Sequence, residues 1–183
     1  MAEGDIDTMA TGERRGEIIA TRPMTHGDIA AVVPIEQVCF GDRWTPESFA
    51  AEIDNPASTY LVAERNGEVV GYAGFWLILE EAHITTIAIN PSFQGLKMGE
   101  QLLLALIHAA ESRGAKWLTL EVRASNVVAQ RLYEKYGFSS LGRRRGYYQN
   151  DGEDALVMWT ENIWQQAYRA RLAALAEKFE ISR

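Results

Sequence analysis

Residues 83 to 122 contain the pattern that most constrains the fold of this chain: a strand, a glycine-bearing turn, a helix and a second strand. HITTIAIN (83–90) is typical of a strand, QGLKMG (94–99) of a turn, EQLLLALIHAAESRG (100–114) of a helix and KWLTLEV (116–122) of another strand. A helix that joins two strands in this way predicts a βαβ unit with parallel strands and a right-handed crossover.

The segments on either side add strands and helices to this unit. Before it, we predict a strand at 16–24, a helix at 26–40 interrupted at Pro34, a helix at 45–53 that is capped by Thr45, and a hairpin that turns at Asn66-Gly67. After it, we predict a helix at 125–138, two strands that meet at Asp151-Gly152 and a C-terminal amphipathic helix. The predicted fold is α/β (α+β): a mixed central β-sheet with a central parallel strand pair, flanked by helices.

The composition is that of one globular domain, since 47% of the 183 residues are hydrophobic and 23% are charged. The longest apolar run, Val69 to Leu79, is shorter than the roughly 20 residues that cross a bilayer. The first residues are polar and lack the order of a secretory signal, so we expect a cytoplasmic protein without a membrane partner. We expect 1–16 to be a flexible tail, 17–160 the folded domain and 161–183 the C-terminal helix.

The net charge, the single cysteine and the spacing of the histidines argue against several classes of function. The net charge of −7 argues against direct nucleic-acid binding and favours a basic partner. Cys39 is the only cysteine, so an internal disulfide cannot form and a buried structural thiol is expected. The three histidines have no spacing typical of metal ligands, and we expect no metal.

The turn at 94–99 and Glu121 are the candidates for a functional site. Both fall at the carboxyl ends of the predicted parallel strands, where open α/β sheets bind ligands. Backbone N–H groups at a helix start can hold an anion, although such turns also occur for packing reasons alone. Glu121 interrupts an otherwise apolar strand, and the pattern leaves open whether it pairs with Arg123 or acts as a general base.

Three motifs in order carry a resemblance to a known family. NPSFQGLKMGEQLL (90–103), LEVRASNVVAQRLYEKYGF (120–138) and RRRGYYQNDGEDALVMW (143–159) resemble the GNAT superfamily of acetyl-CoA-dependent N-acetyltransferases. Within it, the chain is most similar to the protein N-terminal acetyltransferases of the ribosomal-protein-alanine (RimI) type. The resemblance covers about 17–160 and implies the GNAT fold.

The resemblance implies a site for acetyl-CoA as co-substrate. The pyrophosphate would lie on backbone N–H groups of the turn, the pantetheine arm would pair with the strand before it, and an asparagine would contact the cofactor. The implied cofactor-binding residues are Ile87, Ala88, Ile89, Gln94, Gly95, Leu96, Lys97, Met98, Gly99 and Asn126. Lys97 departs from the family pattern, which has glycine there; it would either crowd the phosphates and disfavour the backbone angle or place an ammonium near them.

The same resemblance implies the catalytic and substrate-binding residues. Glu121 would be the general base and Tyr133 the general acid, whereas helical spacing alone favours a core role for Tyr133. The implied substrate-binding residues are Phe40, Trp44, Tyr147 and Tyr148. For the first two, a plain hydrophobic anchor for the next helix is an equal alternative, and the last two are also consistent with ordinary strand aromatics. The arginines at 143–145 would either meet the cofactor's 3′-phosphate or form a solvated rim.

These implications predict a protein N-terminal α-amine acetyltransferase that acts on a protein or peptide N-terminus, by resemblance the alanine of a ribosomal protein. An α-amine with a pKa near 8 is roughly 10% neutral at pH 7, whereas lysine is below about 0.1% neutral, so a modest base is sufficient for the former. Two alternatives stay open: acetylation of lysine or a small amine on the same fold, and a GNAT module that binds acetyl-CoA without turnover.

Overall fold

The computed structural model describes residues 19–41 and 43–179, so the predicted tail at 1–16 lies outside the described residues. The strands are β1 (Ala20–Pro23), β2 (Ser58–Arg65), β3 (Glu68–Ile78), β4 (Glu81–Ile89), β5 (Trp117–Arg123), β6 (Phe138–Tyr148) and β7 (Glu153–Thr160). The helices are α1 (Ile29–Phe40), α2 (Pro46–Asp54), α3 (Met98–Ser112), α4 (Val127–Lys135) and α5 (Gln166–Ala176), with short 3₁₀ turns at His26–Asp28, Pro91–Phe93 and Glu177–Phe179.

The seven strands form one mixed sheet in the order β1-β2-β3-β4-β5-β7-β6. The hairpin between β2 and β3 turns at Asn66 and Gly67, whose φ angles of 51° and 80° are those that an Asn-Gly pair accommodates. The predicted mixed sheet and this hairpin are therefore confirmed.

The predicted parallel pair is β4 and β5, and it is short. Its register joins Glu81 to Trp117, Ala82 to Leu118 and His83 to Thr119. Beyond that point β4 continues beside β3 to Ile89, while β5 pairs with β7. The two parallel strands thus separate towards their carboxyl ends and leave a gap inside the sheet, which we call the seam: residues 84–89 of β4 opposite 120–123 of β5.

Apolar side chains pack on both faces of the sheet. The larger core contains the buried face of α3, with Leu102, Leu103, Leu106 and Ile107 fully enclosed, and the apolar face of α5. A smaller core lies under α1 and α2 and includes Phe49 and Tyr72. The predicted C-terminal helix therefore packs on the sheet domain. None of the described helices is long and apolar enough to cross a bilayer.

Two local predictions have different outcomes. Thr45 caps α2, since its Oγ1 accepts a hydrogen bond from the Ser48 N–H at 3.3 Å, as the sequence predicts. The prediction that Pro34 interrupts the first helix is wrong, because α1 continues through it. Proline removes one helical donor, but Val32 and Ile35 on either side of it are buried in the smaller core and hold the helix in place.

Candidate active site

The turn at 94–99, which we call the anion turn, presents backbone N–H groups at the start of α3. Gly95 has a φ of 81°, which turns the chain from the 3₁₀ turn into the helix. The first helical hydrogen bond runs from the Gln101 N–H to the Lys97 carbonyl at 3.2 Å. The N–H groups of Met98, Gly99 and Glu100 precede it and point out of the helix end, where the helix dipole is positive. This arrangement can hold an anion.

Lys97 adopts the backbone conformation that glycine would favour. Its φ of 60° and ψ of 16° are left-handed, and its side chain is exposed. A left-handed residue with a β-carbon costs about 1 to 2 kcal/mol, so the turn keeps its shape at an energetic cost rather than losing it. The backbone angle that lysine disfavours is therefore adopted all the same.

An ion pair with a partly exposed lysine neutralises the one carboxylate in the first turn of α3, the buried Glu100. Glu100 contacts the Lys135 ammonium and accepts a hydrogen bond from the Tyr136 hydroxyl at 3.0 Å. A carboxylate at this position would otherwise oppose the binding of an anion nearby. The pair also joins the start of α3 to the end of α4, so both helices are fixed relative to the anion turn.

The backbone of β4 faces the seam at alternate residues. The Asn90 N–H donates to the Val70 carbonyl of the neighbouring strand at 2.8 Å, so the backbone groups of Ile89 face the opposite side. The Ile89 carbonyl accepts hydrogen bonds from Gln94 Nε2 at 3.3 Å and from Cys39 Sγ at 3.5 Å. Burial raises the pKa of the Cys39 thiol, which fits its predicted structural role.

Glu121 lies on β5 with its side chain turned away from the larger core. Its neighbours Leu120 and Val122 are buried on the other face, and Glu121 itself is partly exposed. Arg144 Nη2 lies 3.2 Å from Glu121 Oε1, whereas Arg123 pairs with carboxylates of the β6–β7 hairpin. The alternative that Glu121 pairs with Arg123 is therefore wrong. Alternation along the strand correctly predicts that Glu121 and Arg123 lie on one face. Arg123, however, pairs with the carboxylates of the β6–β7 hairpin and not with Glu121.

Tyr133 projects from α4, with its ring 5.8 Å from that of Phe138. Burial, with a smaller contribution from the Tyr148 hydroxyl, raises the pKa of Tyr133 to about 12. Within the part of the chain that the structure describes, its hydroxyl makes no hydrogen bond. Tyr133 is therefore protonated at neutral pH and has a proton to donate.

Tyr147 and Tyr148 end β6, with their rings 5.2 Å apart and edge to face. The Arg123 guanidinium lies over the Tyr148 ring at 3.9 Å from its centroid. Burial chiefly raises the pKa of Tyr148, and the charge of Glu121 raises it further. Tyr148 thus interacts electrostatically with each of the two predicted catalytic residues, Glu121 and Tyr133.

Phe40 and Trp44, predicted to bind the substrate, lie at the two ends of the loop between α1 and α2 and have different surroundings. Phe40 is 40% exposed at the end of α1. Trp44 packs its ring against Phe49 at 5.2 Å and Tyr60 at 5.9 Å, which favours its alternative role as a hydrophobic anchor. The same loop carries Arg43, whose charge lowers the pKa of Tyr148, so the loop approaches the end of β6.

Asn126 has a structural role at the start of α4. Its Oδ1 accepts a hydrogen bond from the Ala129 N–H at 3.1 Å and so caps the helix. A cofactor contact by this residue stays a prediction. Three or more potential metal ligands do not come together anywhere in the described ranges.

Sequence reasoning missed the role of Arg144. The run of arginines at 143–145 was visible, and alternation along a strand would have separated Arg144 from its two neighbours. Its contact with Glu121, however, could be predicted only by knowing that β7 lies between β5 and β6.

Comparison with known proteins identifies the family. A family model described as "Acetyltransferase (GNAT) family" matches residues 29–138. A Bacillus subtilis protein, provisionally named a ribosomal protein bS18-alanine N-acetyltransferase, is 43% identical over 141 residues, which cover 76% of this chain and 93% of that protein.

Solved structures agree with this match. The crystal structure of the ribosomal-protein-S18-alanine N-acetyltransferase from Escherichia coli has a TM-score of 0.71 and 34% identity, with 78% of this chain and 93% of that chain covered. Salmonella typhimurium yncA, solved with acetyl-CoA, has a TM-score of 0.69 and 22% identity, with 79% of this chain and 94% of that chain covered; at this identity only the fold is shared. The predicted activity class and co-substrate are confirmed, and the chain belongs to the GNAT family of acetyl-CoA-dependent N-acetyltransferases.

Proposed function

We propose that this protein transfers the acetyl group of acetyl-CoA to the α-amine of a protein N-terminus, and that the acceptor is a ribosomal protein beginning with alanine. The observation that supports the proposal is the partly exposed carboxylate of Glu121 near the carboxyl end of β5, together with the protonated phenol of Tyr133; each interacts electrostatically with Tyr148. A partly exposed carboxylate and a protonated phenol supply the base and the acid that acetyl transfer requires.

Each of the two groups would handle one proton. Glu121 takes a proton from the acceptor ammonium, directly or through water, and the neutral amine attacks the thioester carbonyl. The bond between that carbon and the CoA sulfur breaks, and the thiolate takes the phenol proton of Tyr133. After the attack the amine nitrogen carries one proton too many, and this second proton goes to the Tyr133 phenolate through water. The acetylated amine and the CoA thiol leave, and Glu121 releases its proton to solvent before the next cycle.

The cofactor would extend from the anion turn along the seam. The N–H groups at the start of α3 would hold the pyrophosphate, and the backbone of Ile87 and Ile89, which alternates towards the seam, would pair with the amide groups of the pantetheine arm. The thioester end would then approach Glu121. Gly95 and Gly99 keep the backbone of the turn free of bulky side chains on this route.

Three arguments support an N-terminal acceptor. The Escherichia coli and Bacillus subtilis relatives are named for the alanine of ribosomal protein bS18. The net charge of −7 suits a basic ribosomal substrate. An α-amine also loses its proton about two pKa units below lysine, which a carboxylate base can exploit.

The test offers the protein three sets of acceptors with acetyl-CoA: peptides with a free N-terminal alanine, the same peptides with a blocked N-terminus and an internal lysine, and a panel of small amines. We expect release of CoA thiol and an acetyl group on the α-amine, located by mass spectrometry, only with the first set. Equal rates on the blocked peptides would overturn the N-terminal assignment and establish lysine acetylation. Binding of acetyl-CoA without thiol release for any acceptor would establish a non-catalytic module.

A further inference from the structure

Glu121 forms an ion pair with a residue from a strand that does not neighbour its own. Arg144 Nη2 lies 3.2 Å from Glu121 Oε1, with side-chain exposures of 57% and 27%. Because the pair is exposed and consists of one contact, it contributes little to the stability of the fold. Stability therefore does not explain why Arg144 covers Glu121, the proposed base.

The pairing of the strands shows how Arg144 reaches Glu121. In the sheet order, β7 lies between β5 and β6. On β7, Ala155 is opposite Arg144 and Val157 is opposite Glu121. Gly142, also opposite Val157, has no side chain. Since Ala155 also pairs with Arg123, Arg144 lies level with Arg123 and reaches Glu121 diagonally. The small side chain of Ala155 and the absence of one at Gly142 leave a path for the long arginine side chain over β7.

Arg143 and Arg123 have structural partners, and Arg144 differs from them. Arg143 pairs with Asp154 at 3.2 Å, and Asp154 also accepts a hydrogen bond from the Gly146 N–H at 2.9 Å, so this pair closes the hairpin. Arg123 is held by two carboxylates of the same hairpin. The Arg144 guanidinium also lies 5.5 Å from the centroid of the exposed Tyr147 ring, so it contacts an aromatic face and Glu121 at once.

We propose that Arg144 is a placeholder cation: its guanidinium occupies the position on Glu121 that the ammonium of the acceptor takes, and the arriving acceptor displaces it. This inference rests on the proposed function, because it assigns the base to Glu121.

The chemistry of the acceptor makes displacement necessary. At neutral pH an α-amine arrives mostly as the ammonium. Two cations on one exposed carboxylate repel each other, so the ammonium and the guanidinium compete for Glu121. The placeholder therefore weakens binding of charged acceptors and has no effect on uncharged groups that enter the same place. Between turnovers it keeps the carboxylate paired.

The experiment is a binding cycle of two proteins with two peptides, measured by calorimetry in the presence of CoA, which cannot donate an acetyl group. One peptide has a free N-terminal alanine, and the other has hydrogen in place of the α-amine. We expect Arg144→Gln to bind the amino peptide about 2- to 5-fold more tightly than wild type and the des-amino peptide equally well. The difference should fall towards zero at about 1 M salt.

Two further variants serve as controls. Arg144→Lys keeps the cation and should bind both peptides like wild type. Arg143→Gln removes an equally exposed arginine of the same strand and should also leave both affinities unchanged, since its partner is Asp154. Weaker binding of the amino peptide by Arg144→Gln, an equal change for both peptides, no change for either, or no binding of either peptide to wild type would each overturn the inference.

Failure of the proposed function is detected separately, in wild type. If mass spectrometry places the acetyl group on lysine, the N-terminal assignment fails. The same cycle is then run with a lysine peptide and its norleucine counterpart, and it tests the placeholder in the same way.

Discussion

In the proposed site, the anion turn would present backbone N–H groups to the ligand, whereas the ends of β5 and β6 would present side chains. These are the side chains of Glu121, Arg123, Arg144, Tyr147 and Tyr148, which we call the charged face. Backbone donors keep their positions whatever side chains the turn carries, as the left-handed Lys97 shows. The charged face depends on side chains that can be exchanged without rebuilding the sheet. A fold arranged in this way can retain its cofactor while its choice of acceptor changes.

The largest expected effect comes from removing the proposed base, Glu121 of the charged face, or the proposed acid, Tyr133, while leaving the anion turn intact. Glu121→Gln and Tyr133→Phe should each lower kcat by about 10² to 10⁴, because a positioned acid or base contributes that much to the rate. Affinity for CoA, measured by calorimetry, should stay within about 2-fold of wild type.

The control for these variants is Glu68→Gln, which changes an exposed carboxylate at the start of β3. Its kinetics should match wild type. If both site variants kept near-normal rates with a good acceptor, Glu121 would be only a structural partner of Arg144, and the catalytic part of the proposal would be rejected.

The next effect compares how tightly the chain is packed at two glycines: Gly71 on β3, beside the strand that leads to the anion turn, and Gly142 on β6, the strand that leads to the charged face. A β-carbon at Gly71 would lie 2.6 Å from the Ala88 carbonyl oxygen of β4, whereas at Gly142 of β6 the nearest atom would be 3.9 Å away, on Val157. Gly71→Ala should lower the free energy of unfolding by about 1 to 3 kcal/mol, and Gly142→Ala should change it by less than about 0.5 kcal/mol. Urea denaturation measures both. Equal losses would show that the two regions are equally tightly packed.

A smaller effect concerns the anion turn itself. Lys97→Gly should relieve the left-handed conformation and raise Tm by about 2 to 4 °C, whereas Lys97→Ala keeps the β-carbon and should leave Tm nearly unchanged. Both variants remove the ammonium, so any loss of CoA affinity that they share reports the charge alone. An equal rise in Tm for both would show that the charge, and not the backbone, is the source of strain.

The smallest effect concerns the hairpin that supports the charged face. Hydrogen bonds from Ser125 and Arg123 lower the pKa of Glu153 from 4.5 to about 2. The stability that they provide is therefore present above pH 4.5 and is lost as the pH falls towards 2. Glu153→Gln should lower Tm by no more than about 2 °C at pH 7. Its difference from wild type should shrink between pH 4.5 and pH 2.5. A difference that stayed constant over that range would contradict the shift.

The sequence predicts the features that depend on neighbouring residues. The Asn-Gly hairpin, the Thr45 cap and the order of strand, turn and helix around 83–122 are local patterns, and the structure has all of them. The anion turn belongs to this class, so its position was predictable even with lysine in place of glycine.

Other features depend on contacts between distant segments. Pro34 remains helical because the smaller core holds α1 on both sides of it, and no local rule includes that core. Arg123 prefers the β6–β7 carboxylates, and Arg144 reaches Glu121 across β7. These pairings follow from the order of the strands, which is the part of the topology that periodicity leaves open.

The separation of β4 from β5 has a consequence for association with other proteins. An unpaired strand at the outer edge of a sheet can pair with a strand from another molecule and so promote aggregation. Here the unpaired stretch lies in the interior of the sheet, between strands that continue on both sides. A folded partner has no room to add a strand there, while a single narrow chain with its own amide groups does. Because the opening is internal, it offers no edge to a strand from another molecule, and strand addition to this sheet is left to its outer strands, β1 and β6.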